Sequence, residues 1–190
     1  MKLYHISNTP KIKVLTPRKS THGVPYVYAT ANLELGLLFG STKSMGDFDG
    51  VYGVRNGKPY FLEAYPNALK RRFENETCYI YEVDPTTFKE GETEFDAELV
   101  SKENVKVLNC EKVGDLYGKL KSLIDSGSIT YVPYMENDSK YVEMINAHIK
   151  DRLVRYGILD KPKSKVYKFC QKHFPAVIDE LENESYEREK

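Results

Sequence analysis

ELVSKENVKVL, residues 98–108, marks where a β-rich sequence gives way to a helical one. It reads as one strand headed by Glu98. Its interior sets Val105, Val107 and Asn109 on one face and Lys106, Leu108 and Cys110 on the other, because successive strand side chains point to opposite sides. Before it, residues 1–110 are rich in tyrosine, β-branched side chains and Gly, Pro and Asn turns; after it, 111–190 carry helical periodicity. Strands first and helices later imply an α+β fold. The expected division is a β-rich core over 1–112 with a helical extension, 113–190, packed on it.

Upstream, LYHIS at 3–7 places Leu3, His5 and Ser7 on one face and Tyr4 and Ile6 on the other, and YVYAT at 26–30 puts Tyr26, Tyr28 and Thr30 on a shared face. Thr30 is the expected N-cap of a short helix over ANLELGLLFG, with Leu33, Leu37 and Phe39 facing inward and Gly40 stopping it. Asn56-Gly57 within VYGVRNGKPYFLEAY favours the type I′ turn of a hairpin, and CYIYEVDP at 78–85 reads as a strand ended by Pro85. TTFKEGETEFDA, 86–97, has no periodicity and reads as a surface loop leading to Glu98; with GSTKSMGDFDG it is the expected seat of specificity.

Downstream, Val113, Leu116, Leu120, Leu123 and Ile124 recur at helical spacing ahead of Gly127. Tyr141, Met144, Ile145, Ile149 and Leu153 do the same ahead of Gly157, and Pro175 kinks or restarts a last helical stretch whose charged end is expected to fray. His148 and His173 read as structural or exposed, and Lys150, Arg152 and Arg155 as a solvated helix face.

The 190 residues balance 28 basic against 28 acidic side chains, so overall charge favours neither nucleic acid nor an anionic membrane. No apolar run approaches the roughly 20 residues needed to cross a bilayer, and the N-terminal residues lack the continuous apolar run of a secretory signal. A soluble, cytoplasmic protein is the expectation. Cys78, Cys110 and Cys170 are widely separated and in no metal-binding spacing, and read as buried thiols with no metal site.

The order His5, then Tyr28 in an aromatic-rich strand, then an acidic residue heading a late strand resembles the ADP-ribosyltransferase fold, in its His-Tyr-Glu branch. That branch includes the poly(ADP-ribose) polymerases and the small bacterial enzymes that ADP-ribosylate rifamycins. The resemblance covers residues 1–112 and implies a split antiparallel β-sheet core with NAD⁺ as co-substrate. It places His5 on a ribose hydroxyl, Tyr28 beside nicotinamide, and Phe39 on the other face of the ring, where the polymerases carry a tyrosine. It gives the backbone of Ile6, where the family has Gly, to the carboxamide. Arg18, in PRKSTHG with Lys19 and His22, falls to the pyrophosphate. Glu98 takes the catalytic position, with Glu94 and Asp96 of the same EFDAE segment as alternatives.

The chemistry is coherent with those residue types. Breaking the ribose–nicotinamide bond builds positive charge on the sugar, as in glycoside hydrolysis, and a carboxylate beside the ribose stabilises that charge. Aromatic faces hold a planar ring, and an imidazole offers a donor or an acceptor to a hydroxyl. The acceptor is unspecified: small molecule, protein or nucleic acid, the last disfavoured by the charge balance. Two other readings stay open. Ile6 and Phe39 motivate a catalytically silent nucleotide- or protein-binding module on the same fold. An RNA 2′-phosphotransferase needs arginines around the histidine, and LYHISNTP has none.

Overall fold

Alternating side chains and Gly-, Pro- and Asn-containing turns give the chain its strands, and the structure, a computed structural model, describes residues 1–19, 23–93 and 95–188. The strands are β1 (Leu3–Ser7), β2 (Val14–Leu15), β3 (Arg18–Lys19), β4 (Pro25–Ala29), β5 (Gly50–Arg55), β6 (Lys58–Glu63), β7 (Cys78–Val83), β8 (Leu99–Ser101), β9 (Val105–Val113) and β10 (Thr130–Val132). The helices are α1 (Leu33–Leu37), α2 (Ala68–Phe73), α3 (Leu116–Asp125), α4 (Ser139–Arg155), α5 (Lys165–His173) and α6 (Pro175–Arg188), with a 3₁₀ turn over Gly46–Phe48. The fold is α+β. Its sheets run in the orders β1-β7-β9-β2, β3-β4-β8 and β10-β6-β5, and the pairings within the first two are antiparallel. Asn56 (φ 53°) and Gly57 (φ 74°) both take the left-handed conformation that a type I′ hairpin turn requires between β5 and β6.

The segment 98–108 departs from the single strand expected of it. It breaks into β8 and β9 around Lys102–Asn104, where the Ser101 hydroxyl accepts the Glu103 amide at 3.1 Å. β8 pairs with β4 and β9 with β7, so this turn moves the chain from one sheet to the other. Asn32, not Thr30, caps α1: its Oδ1 accepts the Leu35 amide at 2.8 Å, while the Thr30 hydroxyl accepts the Asn32 amide. Leu35, Leu37 and Leu38 are the buried leucines there, and Phe39 is 42 % exposed. Val113 ends β9, so α3 begins at Leu116, with Asp115 as its N-cap.

The chain divides into two compact units, Met1–Ser44 with Gly53–Tyr60 and Leu69–Tyr131, and Met45–Tyr52 with Phe61–Ala68 and Val132–Lys190. The change of composition at 112–113 falls inside β9, within the first unit. One core of that unit joins Leu3, Tyr81 and Val83 of its first sheet to Val27, Ala29 and Leu99 of its second. In the second unit, Tyr141, Ile145, Ile149 and Leu153 form the buried stripe of α4, and Met144 stays exposed. This stripe shares a core with Phe48, Tyr65 and the apolar faces of α5 and α6. Pro175 opens α6 as a separate helix, where its missing amide costs nothing. No described helix is long and apolar enough to cross a membrane, and no described cluster of three His, Cys, Asp or Glu is placed to hold a metal ion.

The cysteines are not alike, contrary to the expectation that all three are buried. Cys78 and Cys170 are buried and their thiols pushed up, to about 11 and about 12, chiefly by desolvation, whereas Cys110 on β9 is exposed. A thiol-reactive dye added to the folded protein is therefore expected to label one cysteine rapidly. Cys110→Ser removes that phase, and denaturant exposes the other two thiols.

Candidate functional site

Two strands that part company build a cavity. β1 and the end of β4 meet at one point: the Tyr4 amide donates to the Thr30 carbonyl at 2.9 Å and the Thr30 amide to the Tyr4 carbonyl at 3.0 Å. One residue further, the backbone ladder stops and a side chain takes over, with His5 Nδ1 2.8 Å from the Tyr28 carbonyl. The β1–β7 ladder pairs His5 with Tyr81 and Ile6 with Ile80. Main-chain groups alternate in direction along a strand, so Ile6 turns its N–H and C=O to the same side as Tyr4, toward the parting of β1 and β4.

The cavity measures about 250 Å³ and is lined in part by His5, Ile6, Tyr28, Phe39, Phe95 and Glu98. Ligand pockets for drug-sized molecules span roughly 300–1,000 Å³, so the space suits one ring of a larger ligand rather than all of it. Segments far apart in sequence meet here: β1 brings His5 and Ile6, β4 brings Tyr28, the end of α1 brings Phe39, and the turn before β8 brings Glu98. That turn is closed by the Glu98 amide donating to the Phe95 carbonyl at 2.9 Å. Phe39 and Phe95 touch edge to face, 6.2 Å between centroids and 74° between planes.

Not every residue singled out in the sequence lines this space. Asp96 is exposed and outside it, and Glu94 and His22 lie outside the described residues. Arg18 sits on β3 opposite Tyr26 and is also outside the lining, though its charge reaches His5. Sequence reasoning missed Tyr4, Leu35, Gly36, Phe95 and Ala97 as lining residues. Phe95 and Ala97 lie within EFDAE, where the three acids are the stronger chemical signal. Gly36 marks a close approach: a Cβ there would stand 3.1 Å from Ile6 Cγ1 and 3.2 Å from Thr30 Cγ2.

The His5 hydrogen bond fixes its chemistry. A carbonyl can only accept, so Nδ1 carries the proton, and in the neutral ring Nε2 keeps a lone pair. Burial holds the imidazole below its ordinary value of 6.5; the bond to Tyr28 opposes this, and the Arg18 charge adds to it. His148, in the other unit, is likewise lowered, first by burial. As pH falls, the unfolded chain protonates these histidines before the folded one does. Their contribution to stability is thus complete above about pH 6.5 and is lost as pH drops through the lower folded values. Thermal melts are expected to show the midpoint falling on acidification below pH 6.5, with a shallower fall in His5→Gln and in His148→Gln.

Comparison with family models, curated proteins and solved structures finds no match to this chain.

Proposed function

We propose that the cavity takes the nicotinamide end of NAD⁺ and that the protein transfers ADP-ribose to an acceptor with release of nicotinamide. The observation that carries this reading is the meeting of His5, Tyr28 and Glu98 from three distant segments around one cavity. The parting of β1 and β4 is consistent with the split-sheet core of an ADP-ribosyltransferase-like fold.

Each group has a fitting task. The Ile6 N–H and C=O complement the oxygen and the amino group of a carboxamide, and this needs no particular side chain. The Tyr28 and Phe39 rings flank the planar nicotinamide. His5 Nε2 accepts a hydrogen bond from a ribose hydroxyl. Glu98 lies where the ribose would follow. As the bond between ribose C1′ and the ring nitrogen breaks, its electron pair leaves with nicotinamide, which becomes neutral, and positive charge grows on the sugar. A carboxylate stabilises that charge more than it stabilises the bound ground state, which is what accelerates the step. The acceptor then forms its bond to C1′ and gives up a proton.

The test is incubation of the purified protein with NAD⁺, following nicotinamide release and NAD⁺ binding in the same samples. Release supports transfer or its hydrolytic equivalent with water as acceptor. Binding without release across a panel of acceptors favours the silent module, and absence of both overturns the ligand assignment.

A further inference from the structure

The segment joining β7 to β8 carries Phe95 and Glu98 to the cavity, and three fastenings hold it against β4 and β8. Lys89 and Val100 exchange main-chain hydrogen bonds of 2.9 and 3.0 Å. The Thr87 and Ser101 hydroxyls bond at 2.7 Å. Further along, the Glu92 carboxylate accepts the Tyr26 hydroxyl at 3.2 Å and pairs with the Lys102 ammonium at 3.6 Å. That ammonium lies 5.6 Å from the centre of the Tyr26 ring. A second cavity of about 190 Å³ lies among Tyr26, Glu92, Val100 and Lys102.

This cluster lies beside the cavity of His5, Tyr28 and Glu98. Tyr28 pairs with Val100 in the β4–β8 register, so alternation sets Tyr26 and Tyr28 on the same face of the ribbon as Val100. Tyr26 and Tyr28 meet edge to face, with centroids 5.9 Å apart and planes at 81°. Glu92 therefore reaches Tyr28 through the Tyr26 ring, and it lies three residues before Phe95 in sequence.

We propose that Tyr26, Glu92 and Lys102 form a latch that positions Phe95 and Glu98 for the ligand, with Glu92 as the movable part. The identity of the ligand rests on the ADP-ribosyl reading; the latch does not. Glu92 is 36 % and Lys102 64 % exposed, and ion pairs so placed add little to global stability. Their effect is local, holding one loop conformation over others.

The test compares the full chain with Glu92→Leu, Glu92→Gln and Tyr26→Phe by amide hydrogen exchange over residues 86–98, by NAD⁺ titration and by thermal melting. Glu92→Leu and Tyr26→Phe are expected to speed exchange in this segment and to raise the KM or Kd for NAD⁺ by up to about fivefold, the upper end of what an exposed pair is worth. The melting temperature of Glu92→Leu should stay unchanged. Glu92→Gln, which can still accept from the Tyr26 hydroxyl, should recover part of both effects. Since Glu92 lies at the surface, its variants report on the latch even if Tyr26→Phe disturbs packing. Wild-type exchange rates in Glu92→Leu overturn the latch, whether or not NAD⁺ binds. Faster exchange in a protein whose wild type does not bind NAD⁺ keeps the latch and removes the ligand reading.

Discussion

Glu98→Gln is expected to slow nicotinamide release by about 10²–10³-fold, the range seen when one preorganised electrostatic group is removed from an active site. The substitution preserves shape and one acceptor oxygen but removes the charge. Only the charge discriminates between a neutral ribose and an oxocarbenium-like one, so the loss should fall on kcat. Affinity for NAD⁺ should change far less, because in the proposed complex the ground state would be held by the Ile6 main chain, His5 and the aromatic walls. The fold should persist, because Gln matches Glu in size and the amide at this position still donates to the Phe95 carbonyl. Asp96→Asn is the internal control. Asp96 is exposed and outside the lining, so its variant should release nicotinamide at the wild-type rate. Equal losses in the two variants, or full turnover in Glu98→Gln, would remove Glu98 from the catalytic role.

What sequence reading recovered was local periodicity, and what it missed was set by distant partners. The alternation in LYHIS and YVYAT placed His5 and Tyr28 on strands, and Asn56-Gly57 placed a hairpin, because each signal is contained within a few residues. Nothing within Ser101–Asn104 announces a sheet switch: the turn lacks glycine and proline, and only the separate partners of β8 and β9 reveal it. α2 escaped for a similar reason, as its six residues span too few turns to show a period. Polarity misled in GSTKSMGDFDG, expected as a variable specificity loop. There Phe48 is 3 % and Asp49 0 % exposed, and both belong to the interior of the second unit.

That burial makes Asp49→Ala a costly substitution, with an expected loss of stability of about 2–4 kcal/mol. Asp49 Oδ2 accepts the Met45 amide at 2.6 Å, and Oδ1 accepts the Tyr65 hydroxyl at 2.9 Å. The first bond closes the turn ahead of the 3₁₀ segment; the second ties it to Tyr65, whose ring packs edge to face on Phe169 at 5.5 Å. Truncation removes this acceptor from the Met45 amide and the Tyr65 hydroxyl at a buried position, and each buried donor left unmet costs about 1–3 kcal/mol. Asp49→Asn keeps an acceptor oxygen and should lose less. A cycle with Tyr65→Phe separates the components: once the aspartate is gone, removing the hydroxyl should cost little or even help, because the orphaned donor disappears with it. Chemical denaturation measures the losses, and hydrogen exchange should place them in Met45–Tyr52 and Phe61–Ala68, which carry the Met45 amide and the Tyr65 hydroxyl that this carboxylate accepts. Additive losses in the cycle would mean that the two side chains stabilise the unit independently, and that the buried carboxylate is held by its other contacts instead.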